Sequence, residues 1–145
     1  MLNTEYRARR AYAAGDIPKV TETQHQQALY GWWKIYARVH GYPARAFVHI
    51  PNEAKRSVKV AAILKSEGMQ PGIPDIFLAI PRAPYAGLWI ELKAKQGKPS
   101  DAQKEYVSLL NKGGYKAVFC YGWESARETI ETYLSEAESA LKTQM

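Results

Sequence analysis

The chain has one cysteine, Cys120, in 145 residues, so no disulfide can form within it. A chain without a disulfide framework suits a reducing compartment, and a cytoplasmic location is expected. Cys120 stands in an apolar, strand-like run and reads as a buried thiol. Histidine is scarce too. His25, His40 and His49 have no cysteine pair at zinc-ligand spacing. There is no glycine-rich loop of the Walker or dinucleotide type, which removes the common nucleotide-binding signatures. No apolar run approaches the length of a membrane span, and the N-terminus lacks a signal-peptide core, so no membrane partner is expected. Internal repeats and low-complexity tracts are absent as well. Nothing points to a Ser–His–Asp triad.

What is present is a moderately basic chain, net charge +6, with room for one real core. A single domain over residues 1–145 is expected. Residues 1–20 form a basic extension in which Arg7, Arg9 and Arg10 lie between Tyr6 and Tyr12. That cluster reads either as an arm for phosphates or as a solvated terminus. The positive balance suits a polyanionic partner.

Periodicity sets out the elements. Thr21–His40 reads as a helix with Thr21 or Thr23 as cap. Glu22, Gln26, Leu29, Trp33 and Tyr36 share one face, which predicts that Glu22 points along the buried side. Trp32, Ile35 and Val39 form a second apolar stripe. Ala44–Ile50 is predicted as a short strand, and Ser57–Glu67 as a helix stopped by Gly68. Asn52, Lys55, Arg56 and Lys59 give this region a positive rim. Asn52 either touches a phosphate or caps the turn, and His49 beside it fits a half-buried strand position equally well. Further on, Ser100 and Gln103 have the spacing of a capping box for a helix to about Lys112. Tyr106, Leu109 and Leu110 are its expected buried stripe. A strand, Tyr115–Tyr121, and a C-terminal helix from Trp123 (residues 123–145) complete the chain. Ala126, Ile130, Tyr133, Leu134, Ala137 and Leu141 are the last helix's apolar face, and Glu128, Glu131, Glu136 and Glu138 its wet one.

The stretch from Gly72 to Lys95 organises the rest. Asp75–Ile80 and Leu88–Lys93 flank a segment with Pro81, Pro84 and Gly87, the pattern of two antiparallel strands around a loop. Centring the loop on Ala83 pairs Ile76 with Ile90 and Leu78 with Leu88 on one face. The other face then carries Phe77 against Trp89, and Asp75 against Glu91, with Lys93 two positions on. Cross-strand Cβ atoms are about 5 Å apart, so the two carboxylates repel unless a cation or proton sits between them. A hard divalent metal with oxygen ligands fits that geometry.

A Pro-Asp, then fifteen residues, then Glu-Leu-Lys resembles the core of the PD-(D/E)xK nuclease superfamily. Gly72-Ile73-Pro74-Asp75, Ile90-Glu91-Leu92-Lys93, Ser100 with Gln103, and Gly114-Tyr115 narrow the resemblance to the VRR-NUC family, the virus-type replication–repair nucleases. Glu22 with Gln26, and Ile50-Pro51-Asn52, fit the same pattern, so the similarity runs from Glu22 to about Gly122. It implies an α/β fold: a restriction-endonuclease-like mixed β-sheet flanked by α-helices, in the order α-β-α-β-β-α-β-α.

The resemblance also implies a Mg²⁺-dependent DNA endonuclease of the stand-alone type, a homodimer acting on branched DNA such as four-way (Holliday) junctions. Mn²⁺ is expected to substitute for Mg²⁺. Asp75, Glu91, the backbone carbonyl of Leu92 and Glu22, directly or through water, are the implied metal ligands. Lys93 and Gln103 complete the catalytic set. Asn52, Lys55, Arg56, Lys95 and Lys98 are the expected DNA contacts. A restriction-type or general DNA nuclease, or a binding module that does not cut, are the alternatives. Intact Asp75, Glu91 and Lys93 argue against the last.

Overall fold

Thr21 starts the first helix with a capping box. Its hydroxyl accepts the Gln24 N–H at 3.1 Å, and Gln24 Oε1 accepts the Thr21 N–H at 2.9 Å. Helix α1 (Glu22–His40) then runs to Gly41, whose left-handed backbone ends it. The computed structural model describes residues 19–51 and 57–143, with side chains through 135. The basic cluster of residues 1–18, together with Asn52, Lys55, Arg56, Glu136, Ala137, Glu138 and Leu141, lies outside that description.

The chain continues through a 3₁₀ turn (Ala44–Ala46), β1 (Phe47–His49), α2 (Val58–Ser66), β2 (Ile76–Leu78), β3 (Leu88–Lys93), α3 (Asp101–Lys112), β4 (Lys116–Tyr121) and α4 (Trp123–Thr143). The expected order of elements holds. Three strands are shorter than predicted. The first half of Ala44–Ile50 is the 3₁₀ turn that carries the chain out of α1. Asp75, Ala79 and Ile80 lie off the β2 ladder, and β4 starts at Lys116 rather than Tyr115.

The sheet order is β1-β2-β3-β4. β1 and β2 are antiparallel, as are β2 and β3, while β3 and β4 run parallel. The β2–β3 register is the one anticipated: Ile76 opposite Ile90, Phe77 opposite Trp89 and Leu78 opposite Leu88. Ile76, Leu78, Leu88, Ile90 and Leu92 face α1 and α4, where they join Leu29, Trp33, Ile130 and Leu134 in the main core. Burying one such side chain contributes about 1.5–3 kcal/mol, so this layer fixes the register against a one-residue slip. On the opposite face Val107, Leu110 and Ala117 make a smaller core with Trp89, Tyr106 and Phe119 beneath α3. Asn111 locks α3 to β4, donating to the Ala117 carbonyl at 3.0 Å and accepting its N–H at 2.9 Å.

Two predicted apolar assignments change. Leu109 is 60% exposed and Val107 takes the buried place, because the α3 stripe keeps Tyr106 and Leu110 but is turned slightly toward Val107. Trp32 packs against the main core, which leaves Ile35 and Val39 as the open part of the second α1 stripe. Helix α2 buries none of its residues, although Val58, Val60 and Ile63 are apolar. Among the described residues no helix is long and apolar enough to cross a membrane.

Candidate active site

Three helices begin at the C-terminal end of β3. The first turn of α1 carries Glu22, that of α3 carries Gln103, and α4 starts at Trp123, directly after Gly122 donates to the Lys93 carbonyl at 2.8 Å. Helix N-termini present unsatisfied N–H groups and the positive end of the helix dipole. Ends of parallel strands framed by helix starts are where α/β folds bind anions.

Glu91 and Lys93 project from β3 into this region and are 3% and 8% exposed. The amide nitrogen of Gln103 donates to Glu91 Oε1 at 2.8 Å, while the same side chain completes the Ser100 capping box. Lys93 Nζ lies 3.6 Å from Glu91 Oε1, an ion pair longer than a hydrogen bond. The turn after β3, closed by Gly97 N–H to the Ala94 carbonyl at 2.8 Å, covers the Lys93 stem. A Cβ on Gly97 would stand 3.4 Å from Lys93 Cδ. Glu91 Oε2 is buried and, among the described residues, has no hydrogen-bond partner.

Asp75 sits on the bend that enters β2, one residue before the ladder. Its Oδ2 accepts the Leu92 N–H at 3.0 Å, so the carboxylate is held by the backbone of the strand that carries Glu91. Gly72 makes this possible. Its φ is +83°, and an added Cβ would fall 2.3 Å from the Ala102 carbonyl oxygen. The loop before Asp75 is thereby pressed onto the first turn of α3, the turn that bears Gln103.

The electrostatics follow from crowding two acids in a dry place. Burial pushes the Asp75 carboxyl above its ordinary range; the Leu92 N–H pulls the other way, and the Glu22 charge pushes up again. Burial first, then the Asp75 charge, pushes Glu91 up to about 8 against the pull of Lys93. Without a cation the pair holds a proton at neutral pH.

These residues fit a hard divalent ion. A buried carboxylate oxygen without a partner, beside a second carboxylate that repels it, is a donor set waiting for positive charge. All the side-chain donors are oxygens, which suits Mg²⁺. Among the described residues no three His, Cys, Asp or Glu side chains are grouped closely enough to hold one ion. An ion here would take the two carboxylates of Asp75 and Glu91, with backbone oxygen and water to complete its shell.

Glu22 lines a cleft of about 390 Å³ with Asp75, Leu92, Gln26, His49 and Pro51. It is exposed, contrary to the stripe argument, because it is the first helical residue and projects past the start of the packed face. His49 is also exposed, not half-buried, and its charge acts on Asp75. Lys95 and Lys98 are exposed on the turn after β3. The sequence reading weighed His25 only as a zinc ligand and missed its place. It is 3% exposed, and its Nδ1 accepts the Trp123 N–H at 3.1 Å, tying α1 to the start of α4. Its position three residues after Glu22 on the same helix was the available signal.

The VRR-NUC domain family model matches residues 20–124. A solved structure described as a VRR_NUC domain protein superposes with a TM-score of 0.72 at 30% sequence identity, covering 82% of this chain and 92% of that one. No curated protein matches.

Proposed function

This chain belongs to the VRR-NUC family of nucleases, and from that premise we propose that it is a Mg²⁺-dependent endonuclease that hydrolyses phosphodiester bonds in branched DNA, four-way junctions first. The observation that carries the metal is the partnerless, buried Glu91 Oε2 beside Asp75. Asp75, Glu91 and the Leu92 carbonyl hold the ion, with Glu22 acting through water from across the cleft. When bound, Mg²⁺ supplies Lewis-acid neutralisation of the phosphate and a more acidic water; Mn²⁺ serves in its place.

The protein's own groups do the rest. Gln103 occupies Glu91 Oε1, which leaves Oε2 for the cation. Lys93, with its stem covered by the Gly97 turn, presents one ammonium to the charge that develops on the phosphate. Its contact with Glu91 is long enough to yield to substrate. Lys95 and Lys98, and Asn52, Lys55 and Arg56 by family resemblance, contact the DNA backbone.

A homodimer is part of the proposal. One chain has one such site, whereas a junction is resolved by cutting two strands, and a two-fold pair presents two sites by symmetry. Ile35 and Val39 on α1, at 69% and 72% exposure, and Val58, Val60 and Ile63 on α2 are apolar surface for a second copy.

A cleavage panel with Mg²⁺ tests the reading: four-way junction, flap, fork, linear duplex and single strand, with light scattering of the protein alone and with junction. Fastest cutting of the junction by a dimer is expected. A monomer that nicks linear duplex as fast as a junction would refute the resolvase and leave a general nuclease.

A further inference from the structure

Next to the metal-site cleft lies a second one, of about 360 Å³, lined by Lys19, His25, Lys95, Trp123 and Glu124. Of its walls, only Lys95 has been given a contact with DNA so far. Because His25 Nδ1 accepts the Trp123 N–H, the ring proton of neutral His25 is on Nε2. That N–H belongs to a side chain 3% exposed and has no partner among the described residues. An imidazole N–H that lines a cleft without a protein partner is a donor for a ligand. Lys19 and Lys95 line the same space, and neither forms an ion pair among the described residues. Trp123 adds a half-buried ring, with the Arg127 guanidinium 5.6 Å from its centroid.

The position relative to the site already described is fixed by the chain. Lys95 follows Lys93 by two residues, at most about 7 Å of extended backbone. His25 follows Glu22 by three residues, about 4.5 Å along α1. That is close to the spacing of neighbouring phosphates on one nucleic-acid strand. We propose that this cleft binds the nucleotide adjoining the cut, with its phosphate on Lys19, His25 and Lys95 and its sugar and base against Trp123. The proposal rests on the nuclease reading and adds a subsite to it. Aromatic stacking of this kind tolerates any base, so the subsite sets where the strand lies without reading sequence.

Glu124 stands in the same cleft and opposes an anion there. It gives the proposal a two-sided test. Binding of a fluorescein-labelled four-way junction to the full chain is titrated in EDTA over a salt series, so that no cutting occurs. Loss of one phosphate contact lowers the salt slope by about 0.9 for duplex DNA. Lys95→Gln is expected to show that drop, and Glu124→Gln to bind more tightly than wild type. Tryptophan emission, quenched by unlabelled junction in the wild type, should be quenched less in Trp123→Phe. An unchanged slope in Lys95→Gln, or undiminished quenching in Trp123→Phe, overturns the subsite. Wild-type cleavage with Mg²⁺ is measured alongside. If wild type cuts while Lys95→Gln keeps its slope, the subsite fails and the nuclease reading stands. If wild type neither binds nor cuts, the nuclease reading fails, and the subsite with it.

Discussion

Gln103 donates to Glu91 Oε1 at 2.8 Å through its amide nitrogen while its amide oxygen accepts the Ser100 N–H at 2.9 Å. One side chain both starts a helix and orients a carboxylate of the candidate site. Gln103→Glu separates the two tasks. Glutamate at the third helical position still completes a capping box. Against Glu91, however, it offers a carboxylate where a donor stood. The expected outcome is a helix content close to wild type by circular dichroism, with cleavage and Mg²⁺ affinity both reduced at least tenfold, since losing a hydrogen bond to a charged group costs about 1.5–3 kcal/mol.

Asp75→Asn and Glu91→Gln should each abolish cleavage and leave the fold intact. Glu91→Gln should also raise the stability of the metal-free protein in a urea titration at neutral pH, because a neutral amide removes the cost of taking up a proton on folding. Retained Mg²⁺-dependent cutting in either variant would sink the site assignment.

Lys93→Ala should cut the rate by on the order of a hundredfold, the usual loss when a transition-state donor is removed. Mg²⁺ binding by calorimetry should persist, since Lys93 is no ligand. Loss of metal binding instead of rate would show that the role is wrong.

The metal-free protein should lose stability as pH rises. Glu91 has an ordinary value of 4.5 and is pushed up to about 8 in the fold. Below about 4.5 both states carry the proton and the effect is absent. Between there and about 8 the folded chain holds a proton that the unfolded chain has released, so each step up in pH favours unfolding. Asp75, shifted in the same direction, adds to the slope. Urea midpoints at pH 5, 6, 7 and 8 in EDTA check this, with the slope much reduced in Glu91→Gln. Added Mg²⁺ should restore the midpoint most at the high end, where no proton competes for the oxygens.

Gly72→Ala should be among the most damaging single-methyl changes available. The new Cβ falls 2.3 Å from the Ala102 oxygen on a backbone of φ +83°. Overpacking of this kind costs about 1–3 kcal/mol. The loop must move off α3, so Asp75 leaves its Leu92 N–H, and activity should fall further than the urea midpoint alone would account for.

Much of this was legible in the residues. The alternation in Asp75–Ile80 and Leu88–Lys93 admits one register that hides every aliphatic side chain, and that register is the one observed. Ser100 and Gln103 announced their helix start by spacing alone. What stayed hidden depends on three dimensions. Glu22 shares a stripe with Leu29 and Trp33, yet it stands beyond the end of the surface they bury. Leu109 and Val107 both satisfy a helical period, and only the position of β4 chooses between them. Gln103 beside Glu91 came from the family resemblance and not from local patterning, and His25 on Trp123, 98 residues apart, came from neither.

Helix α2 has a consequence of its own. Its side-chain anchor at the start is the Ser57 hydroxyl, which accepts the Val60 N–H at 3.3 Å, and no residue of its nine is buried. An isolated helix that short is marginal in water. Its amides should therefore exchange with deuterium through local opening, far ahead of those in β3, whose release requires global unfolding. Slowed exchange confined to Val58–Ser66 would then act as a footprint, marking on this face whatever covers Val58, Val60 and Ile63.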